Sequence, residues 1–490
     1  MKKLTKLFKK FYLPLIVICI AFLSYNYNFF RVANHQWFLN YSIGSENLVT
    51  AGLINGKDKY GRLFLGRYTN DNDIYSKQSL EQVFEINQKN LTELDEIEKT
   101  ISGKFKKYDS QYGLQLHFFY YLQKLGIENI KVFQGITAML MSIVVGILFH
   151  SLRKIFSTTV ASVFSASLVL SPYVVVFAKN LYWVEATWFL PMIVSMYYGK
   201  INSLSWKSNI KFFIFFVIAY LIKMLCGYEY LTTIAIASCV PIILYMSLDK
   251  KGFKKTIIKL SINVTSTLIA FILATGIHVN LLSKDSSKAL DHIDHIVTNA
   301  KVRTKNHSIS DIKALCEYKQ NTHRQNIDLE LLKNCEEAYK KSSTKVGKII
   351  LRYLIFDDFL PWLGNFSNIK SSNFTETKDY DILKSVWQRP SKETLRAAIY
   401  ETETQTKKNL VIIFLNTFLF LLLILTAFFR ASLKMRLVLM FSLSAPLSWF
   451  IIAQGHSALH FGLNYVLWYL PLVPFCLIAI ISKNNNKVAL

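Results

Sequence analysis

Apolar runs close to the length a helix needs to cross a hydrocarbon core, about 20 residues, recur along this chain and are separated by short polar stretches. The pattern predicts spans at 13–30, 130–151, 158–177, 182–199, 212–226, 230–248, 258–280, 409–429, 436–453 and 464–481. Two long polar stretches, 31–129 and 281–408, interrupt the series. In the first, Ser79 to Thr100 alternates as a surface-lying amphipathic helix would. The second is patterned for helix around Ile309–Tyr339 and Lys348–Phe356 and becomes rich in Trp, Pro and Asn after Asp357. It is long enough to fold as a small domain against the bundle.

Charge gives this pattern a direction. Cytoplasmic loops concentrate Lys and Arg, and every second connection here does so. The basic set comprises Lys2, Lys3, Lys6, Lys9 and Lys10, then Arg153 and Lys154, and Lys200, Lys207 and Lys211. It continues with Lys250, Lys251, Lys254 and Lys255, then Arg430, Lys434 and Arg436, and ends with Lys483 and Lys487. The short connections on the other side carry little beyond Lys179 and Lys223. The expected fold is therefore an all-α polytopic membrane protein of about ten transmembrane helices, N-in and C-in, with two large extracytoplasmic loops.

That expectation divides the chain into five parts. Residues 1–30 form a cytoplasmic N-terminus and first helix, 31–129 a loop with interfacial helices, and 130–280 helices two to seven. Residues 281–408 form an extracytoplasmic domain, and 409–490 the last three helices with a cytoplasmic tail. The first apolar run, Leu13–Phe30, ends in Asn26, Tyr27, Asn28, Phe29 and Phe30 without a small-x-small cleavage site, so it reads as an uncleaved anchor.

Composition agrees with a lipid-facing surface: 52% of residues are hydrophobic and 18% charged, against about 25% charged in soluble domains. The net charge of +25 lies in short clusters between apolar runs, not in one patch interleaved with aromatics, which argues against a nucleic-acid partner. Of six cysteines, Cys19, Cys226, Cys239 and Cys476 lie in or beside apolar runs and read as small buried hydrophobes. Cys316 and Cys335 share the second polar segment and could form a disulfide if it faces an oxidising compartment.

Candidate chemistry gathers at the ends of helices far apart in sequence. Glu46 follows the first span, with Arg62 and Arg67 beyond it, and Tyr108-Asp109-Ser110-Gln111-Tyr112 precedes the second. Later turns hold Lys179 to Glu185, Gly227-Tyr228-Glu229-Tyr230, and Gln454 to His460. Ionisable groups near a membrane are costly to bury and face a cavity or a partner, so Glu185 and Glu229 read either as structural pairs with a neighbouring helix or as functional groups. His456 and His460 are spaced to share one helical face. Without a third ligand in sequence they fit contacts to a polar head group better than a metal pair. Asp291-His292-Ile293-Asp294-His295 reads in the same way as an amphipathic start to the outer domain. No Walker-type loop, dinucleotide fingerprint or nucleophile elbow is present.

Several stretches resemble the GT-C superfamily of integral-membrane glycosyltransferases. They are Ser45-Glu46-Asn47-Leu48-Val49, Gly61-Arg62-Leu63-Phe64-Leu65-Gly66-Arg67-Tyr68, Ser110-Gln111-Tyr112-Gly113-Leu114-Gln115, and Gly455-His456-Ser457 before Tyr465-Val466-Leu467-Trp468-Tyr469-Leu470-Pro471. The plan is also similar to that of the O-antigen glucosyltransferases of serotype-converting phages. The resemblance implies a bacterial inner (cytoplasmic) membrane protein with its site on the extracytoplasmic face. Its partners would be a polyprenyl-phosphate-linked sugar donor, a glycan or lipid-linked acceptor such as O-antigen lipopolysaccharide, and membrane lipids. Glu46, with Asp109 as second choice, is then the general base, although the family more often has Asp there. Arg62 and Arg67 bind the phosphate, and Glu185, Glu229, His456 and His460 contact sugar or acceptor. No cofactor is implied, and a divalent metal is left open.

Two rival classes share this outline. A lipid-linked oligosaccharide polymerase or ligase would rely more on outer arginines than on an early acid. A transporter or flippase would place charges at the bilayer midplane and show paired halves, which this chain lacks.

Overall fold

The computed structural model describes residues 2–33, 35–40, 43–56, 63–70, 77–199, 206–248, 253–283, 350, 353–354, 403–459 and 461–482. Arg62, His460, Cys316, Cys335, Asp291–His295 and almost all of the 281–408 segment lie outside the described residues. In chain order the helices begin with α1 (Lys2–Tyr27), α2 (His35–Asn40), α3 (Ile43–Gly56), α4 (Lys77–Gln88), α5 (Leu94–Thr100) and α6 (Leu114–Lys124). Next come α7 (Ile130–Ile155), α8 (Thr158–Val169), α9 (Pro172–Ala178), α10 (Ala186–Gly199), α11 (Trp206–Cys226), α12 (Leu231–Leu248) and α13 (Phe253–Ser283). The last are α14 (Glu403–Arg430), α15 (Leu433–Ile452), α16 (Gln454–Leu459) and α17 (Leu472–Ser482), with a 3-10 helix at Phe461–Tyr469 before α17.

The protein is mostly helical and membrane-embedded. Helices α7, α11, α13 and α15 and the stretch Leu463–Ser482 are each long and apolar enough to cross a membrane, and the bent pair α8–α9 is a sixth candidate, either a broken span or a re-entrant loop. Their burial differs by position. Only 22% of the apolar window of α13 is buried, against 78% of that of Leu463–Ser482, so α13 lies at the rim and the last span lies inside. Leu268, Ile272 and Leu273 on α13 and Phe418, Leu422 and Leu425 on α14 are exposed, an apolar area that only lipid or a partner would cover. Helices α1 and α7 approach closely at Gly146, where a methyl group would stand 2.4 Å from the Ile18 side chain.

Several expected elements are broken, each at an identifiable residue. The stretch expected as one helix from Ser79 to Thr100 is two, α4 and α5, parted where Asn90 adopts a left-handed φ of 50°. The 158–177 span bends by 71° between α8 and α9. There Ser171 caps α9 by accepting from Val174 N, and Pro172 opens the helix at the one place where its missing N–H costs nothing. The 464–481 span is a 3-10 helix and α17 with Leu470-Pro471 between them. The all-helical expectation misses a two-stranded antiparallel sheet, β1 (Gly66–Thr69) with β2 (Lys104–Lys107), which pairs Gly66 with Lys107 and Arg67 with Lys106. Four-residue strands rich in Lys, Arg and Gly carry no periodic signal that a sequence reading could use.

Contacts sort the helix ends into two groups. At one end the α1 and α9 C-termini meet the α7 and α10 N-termini: Gln134 reaches Glu46, Thr137 donates to the Lys179 carbonyl, and Tyr25 lies beside Glu185. The α11 and α13 C-termini and the α12 N-terminus join them through Gly113 N to Leu225 O and the Tyr228 contact with His278. At the opposite end Tyr245 donates to Met196 O, Lys259 to Tyr198 O, and Ser247 to Lys434 O. We call the first the site end and the second the basic end. α7, at a rise of about 1.5 Å per residue, is long enough to run between them.

Candidate functional site

The seven residues from Lys179 to Glu185, between α9 and α10, are the hub of the site end. The α9 bend delivers them there, and their own polar groups fix the turn. Asn180 Oδ1 accepts from the backbone N–H of Tyr182 (3.0 Å) and Trp183 (3.2 Å), a side chain standing in for a backbone turn. Val184, a β-branched residue, is held at φ 40°, a conformation such residues rarely adopt. Tyr230, in the neighbouring 227–230 turn, is likewise left-handed at φ 61°. The two turns pack together, with the Trp183 and Tyr230 rings stacked at 5.6 Å and Trp188 edge-on to Tyr230 at 5.0 Å. Strained non-glycine residues persist only where surrounding packing over-determines them, and they cluster at functional sites.

Glu46 reaches the hub from the first turn of α3, where the helix dipole favours an anion. It is buried, and its carboxylate accepts from Gln134 Nε2 at 3.1 and 3.2 Å and from Leu181 N at 3.2 Å. Burial raises its pKa above the usual carboxylate range, while Gln134, the Lys179 ammonium and the Leu181 N–H pull the other way. Burial likewise brings Lys179 down to about 8 against the opposing pull of Glu46, with Lys131 lowering it further. The Lys179 ammonium also sits 3.7 Å from the centre of the Phe38 ring, a cation–π contact.

Two further acids meet the hub. Glu185, 1% exposed, has no hydrogen-bond partner for either carboxyl oxygen among the described residues, and the neighbouring Tyr25 hydroxyl has none either. Glu229, in the 227–230 turn, accepts from the Tyr182 hydroxyl at 3.4 Å, and Lys223 lies close enough to interact with it electrostatically. Lys223 is itself buried, and its ammonium donates to Gly227 O at 2.6 Å. His456 is buried edge-on to Trp449 at 5.3 Å and to Tyr230 at 6.2 Å. Tyr353, from the second polar segment, is fully buried at this end: it stacks on Phe450 at 4.1 Å and accepts from Asn464 at 2.7 Å.

Of the residues expected from sequence, Glu46, Glu185, Glu229 and His456 thus all bear on the 179–185 and 227–230 turns. Arg67 is fully buried in β1, which packs on α3. Asp109 is half-buried beside Lys107. Among the described residues no three of His, Cys, Asp and Glu converge as a metal would require. Sequence reasoning named Lys179 only as part of its turn, without a role, and passed over Gln134 and Lys223 as a bundle residue and a stray charge. Their signal was a polar side chain at or inside the edge of an apolar run.

Compared with protein-family models, curated proteins and solved structures, the chain gives no match.

Proposed function

We propose that the protein is a membrane glycosyltransferase that moves a sugar from a polyprenyl-phosphate donor to a cell-surface glycan, and that the site end faces the extracytoplasmic side of a bacterial inner membrane. One observation carries the reading: three carboxyl groups from three distant segments, Glu46, Glu185 and Glu229, are buried around one pair of strained turns. Burying an ionisable group costs several kcal/mol, and a protein that only anchors or spaces has no need to do so three times in one place.

In this reading Glu46 removes the proton of the acceptor hydroxyl as its oxygen attacks the anomeric carbon. The bond from that carbon to the phosphate oxygen breaks, the electron pair leaves with the polyprenyl phosphate, and Glu46 passes its proton to water. Its raised pKa makes it a stronger base than an exposed carboxylate. Arg67 and Lys179 are the cations this reading assigns to the departing phosphate. The same proposal takes the chain to ten spans, N-in and C-in: helices α1, α10, α12 and α14 complete the set, and the exposed lysines and arginines of the basic end face the cytoplasm.

The test is the surface polysaccharide of a deletion strain carrying wild type or Glu46→Gln, with membrane levels of the two proteins matched. The reading expects the deletion to lose one sugar substituent, wild type to restore it and the glutamine variant to fail. Full restoration by Glu46→Gln would remove Glu46 as base. A deletion that leaves every surface glycan unchanged would remove the transferase.

A further inference from the structure

A second set of buried polar atoms meets the 227–230 turn, and the proposed proton transfer does not use it. Gln111, 4% exposed, reaches the 227–230 turn from the segment before α6. A methyl group built on Gly227 would stand 2.5 Å from Glu229 Oε2 and 2.7 Å from Gln111 Oε1. The carboxylate and the amide therefore crowd the same glycine, and no larger residue leaves both where they are. The other end of the amide, Gln111 Nε2, is buried with no hydrogen-bond partner among the described residues.

Two tyrosine hydroxyls lead from this group to a half-buried position. Tyr108 is half-buried, its hydroxyl lies 3.5 Å from that of Tyr182, and the Tyr182 hydroxyl lies 3.4 Å from Glu229 Oε1. Both contacts are longer than the roughly 2.5–3.0 Å of a well-formed O–H···O bond. Beyond them the stacked pair Trp183 and Tyr230 gives the turn an apolar wall.

Resting on the transferase reading, we propose that Glu229 and Gln111, seated against Gly227, bind two neighbouring hydroxyls of the donor's sugar ring, with Tyr182 and Tyr108 lining the approach. The chemistry is complementary. A carboxylate only accepts, so it takes the O–H of one hydroxyl, while the orphaned amide N–H supplies the donor that the adjacent hydroxyl oxygen needs. A phosphate would instead meet the Glu229 carboxylate as a like charge, which assigns this group to the sugar and not to the lipid phosphate.

Gly227→Ala separates this idea from a purely structural one. Its methyl group meets only the far ends of two side chains, which can swing aside, so the fold survives while both ligand atoms are displaced. Gln111→Leu is the companion, removing the donor at similar volume. Full-length protein in detergent micelles is titrated, by tryptophan fluorescence, with polyprenyl phosphate and with polyprenyl-phosphate-linked glucose, galactose and mannose. Wild type is expected to bind one sugar-bearing lipid about tenfold or more tighter than the bare lipid phosphate, the worth of one to two hydrogen bonds. Both variants should lose that increment while keeping wild-type affinity for bare polyprenyl phosphate and an unchanged melting temperature. The subsite is overturned if Gln111→Leu and a folded Gly227→Ala both keep the increment, or if wild type never discriminates. Failure of wild type to bind any of these lipids would instead overturn the transferase reading and the subsite with it.

Discussion

The two ends of the bundle treat charge in opposite ways. At the basic end Lys154, Lys207, Lys211, Lys254, Arg430, Lys434 and Arg436 are all exposed. At the site end Glu46, Glu185, Lys223 and Glu229 are buried, and the Lys179 ammonium lies against the Phe38 ring. Exposed cations cost little and can orient a membrane protein by number alone. Buried ionisable groups cost enough that each needs a reason to stay. In the proposed reading, the contrast separates charge that directs the chain across a membrane from charge retained for chemistry.

The largest expected effect is on packing at the site end. Trp183→Ala removes a ring that stacks on Tyr230 and meets Trp188 edge-on, a loss of about 3 to 5 kcal/mol for a buried aromatic. Thermal unfolding in micelles should show a fall of several degrees. A change no larger than that of a basic-end variant would mean the two turns are not clamped together.

Next comes the pH dependence of stability. Glu46 has a folded pKa above its ordinary 4.5, so the folded state holds its proton longer and stability falls as pH rises through that window. Lys179 falls from 10.5 to about 8, so between those values the unfolded chain binds more protons and stability recovers as pH rises. The difference in melting temperature between wild type and the Glu46→Gln/Lys179→Met double variant should therefore pass through a minimum near neutral pH. The alkaline limb is worth on the order of 3 kcal/mol. A flat difference would show that neither group is buried as described.

The smallest effect belongs to the basic end. Lys207→Gln, at an exposed position, should change stability by no more than about 0.5 kcal/mol and leave transfer untouched. If it cost as much as Trp183→Ala, the division between the ends would fail.

Much of the fold was legible in sequence because lipid imposes a strong rule: long apolar runs survive as helices, and the turns between them keep their polar residues. Glu46, Glu185, Glu229 and His456 were visible for that reason, as polar interruptions at run ends. What stayed hidden depends on three-dimensional contact. Nothing in the local sequence shows that Lys179 lies over Phe38, that Gln111 meets Glu229 across Gly227, or that Tyr353 inserts beside Phe450. The broken helices were hidden for a local reason: Asn90 and Pro172 interrupt the helical backbone without interrupting the apolar pattern around them.

The central claim is that a buried carboxylate of the site end performs proton transfer, and the most direct measurement is sugar transfer in membranes containing equal amounts of Glu46→Gln or Lys207→Gln protein. The account predicts that Glu46→Gln lowers the rate by about 100-fold or more, the contribution of a positioned general base, while Lys207→Gln matches wild type. A Glu46→Gln rate within a few-fold of wild type would contradict it.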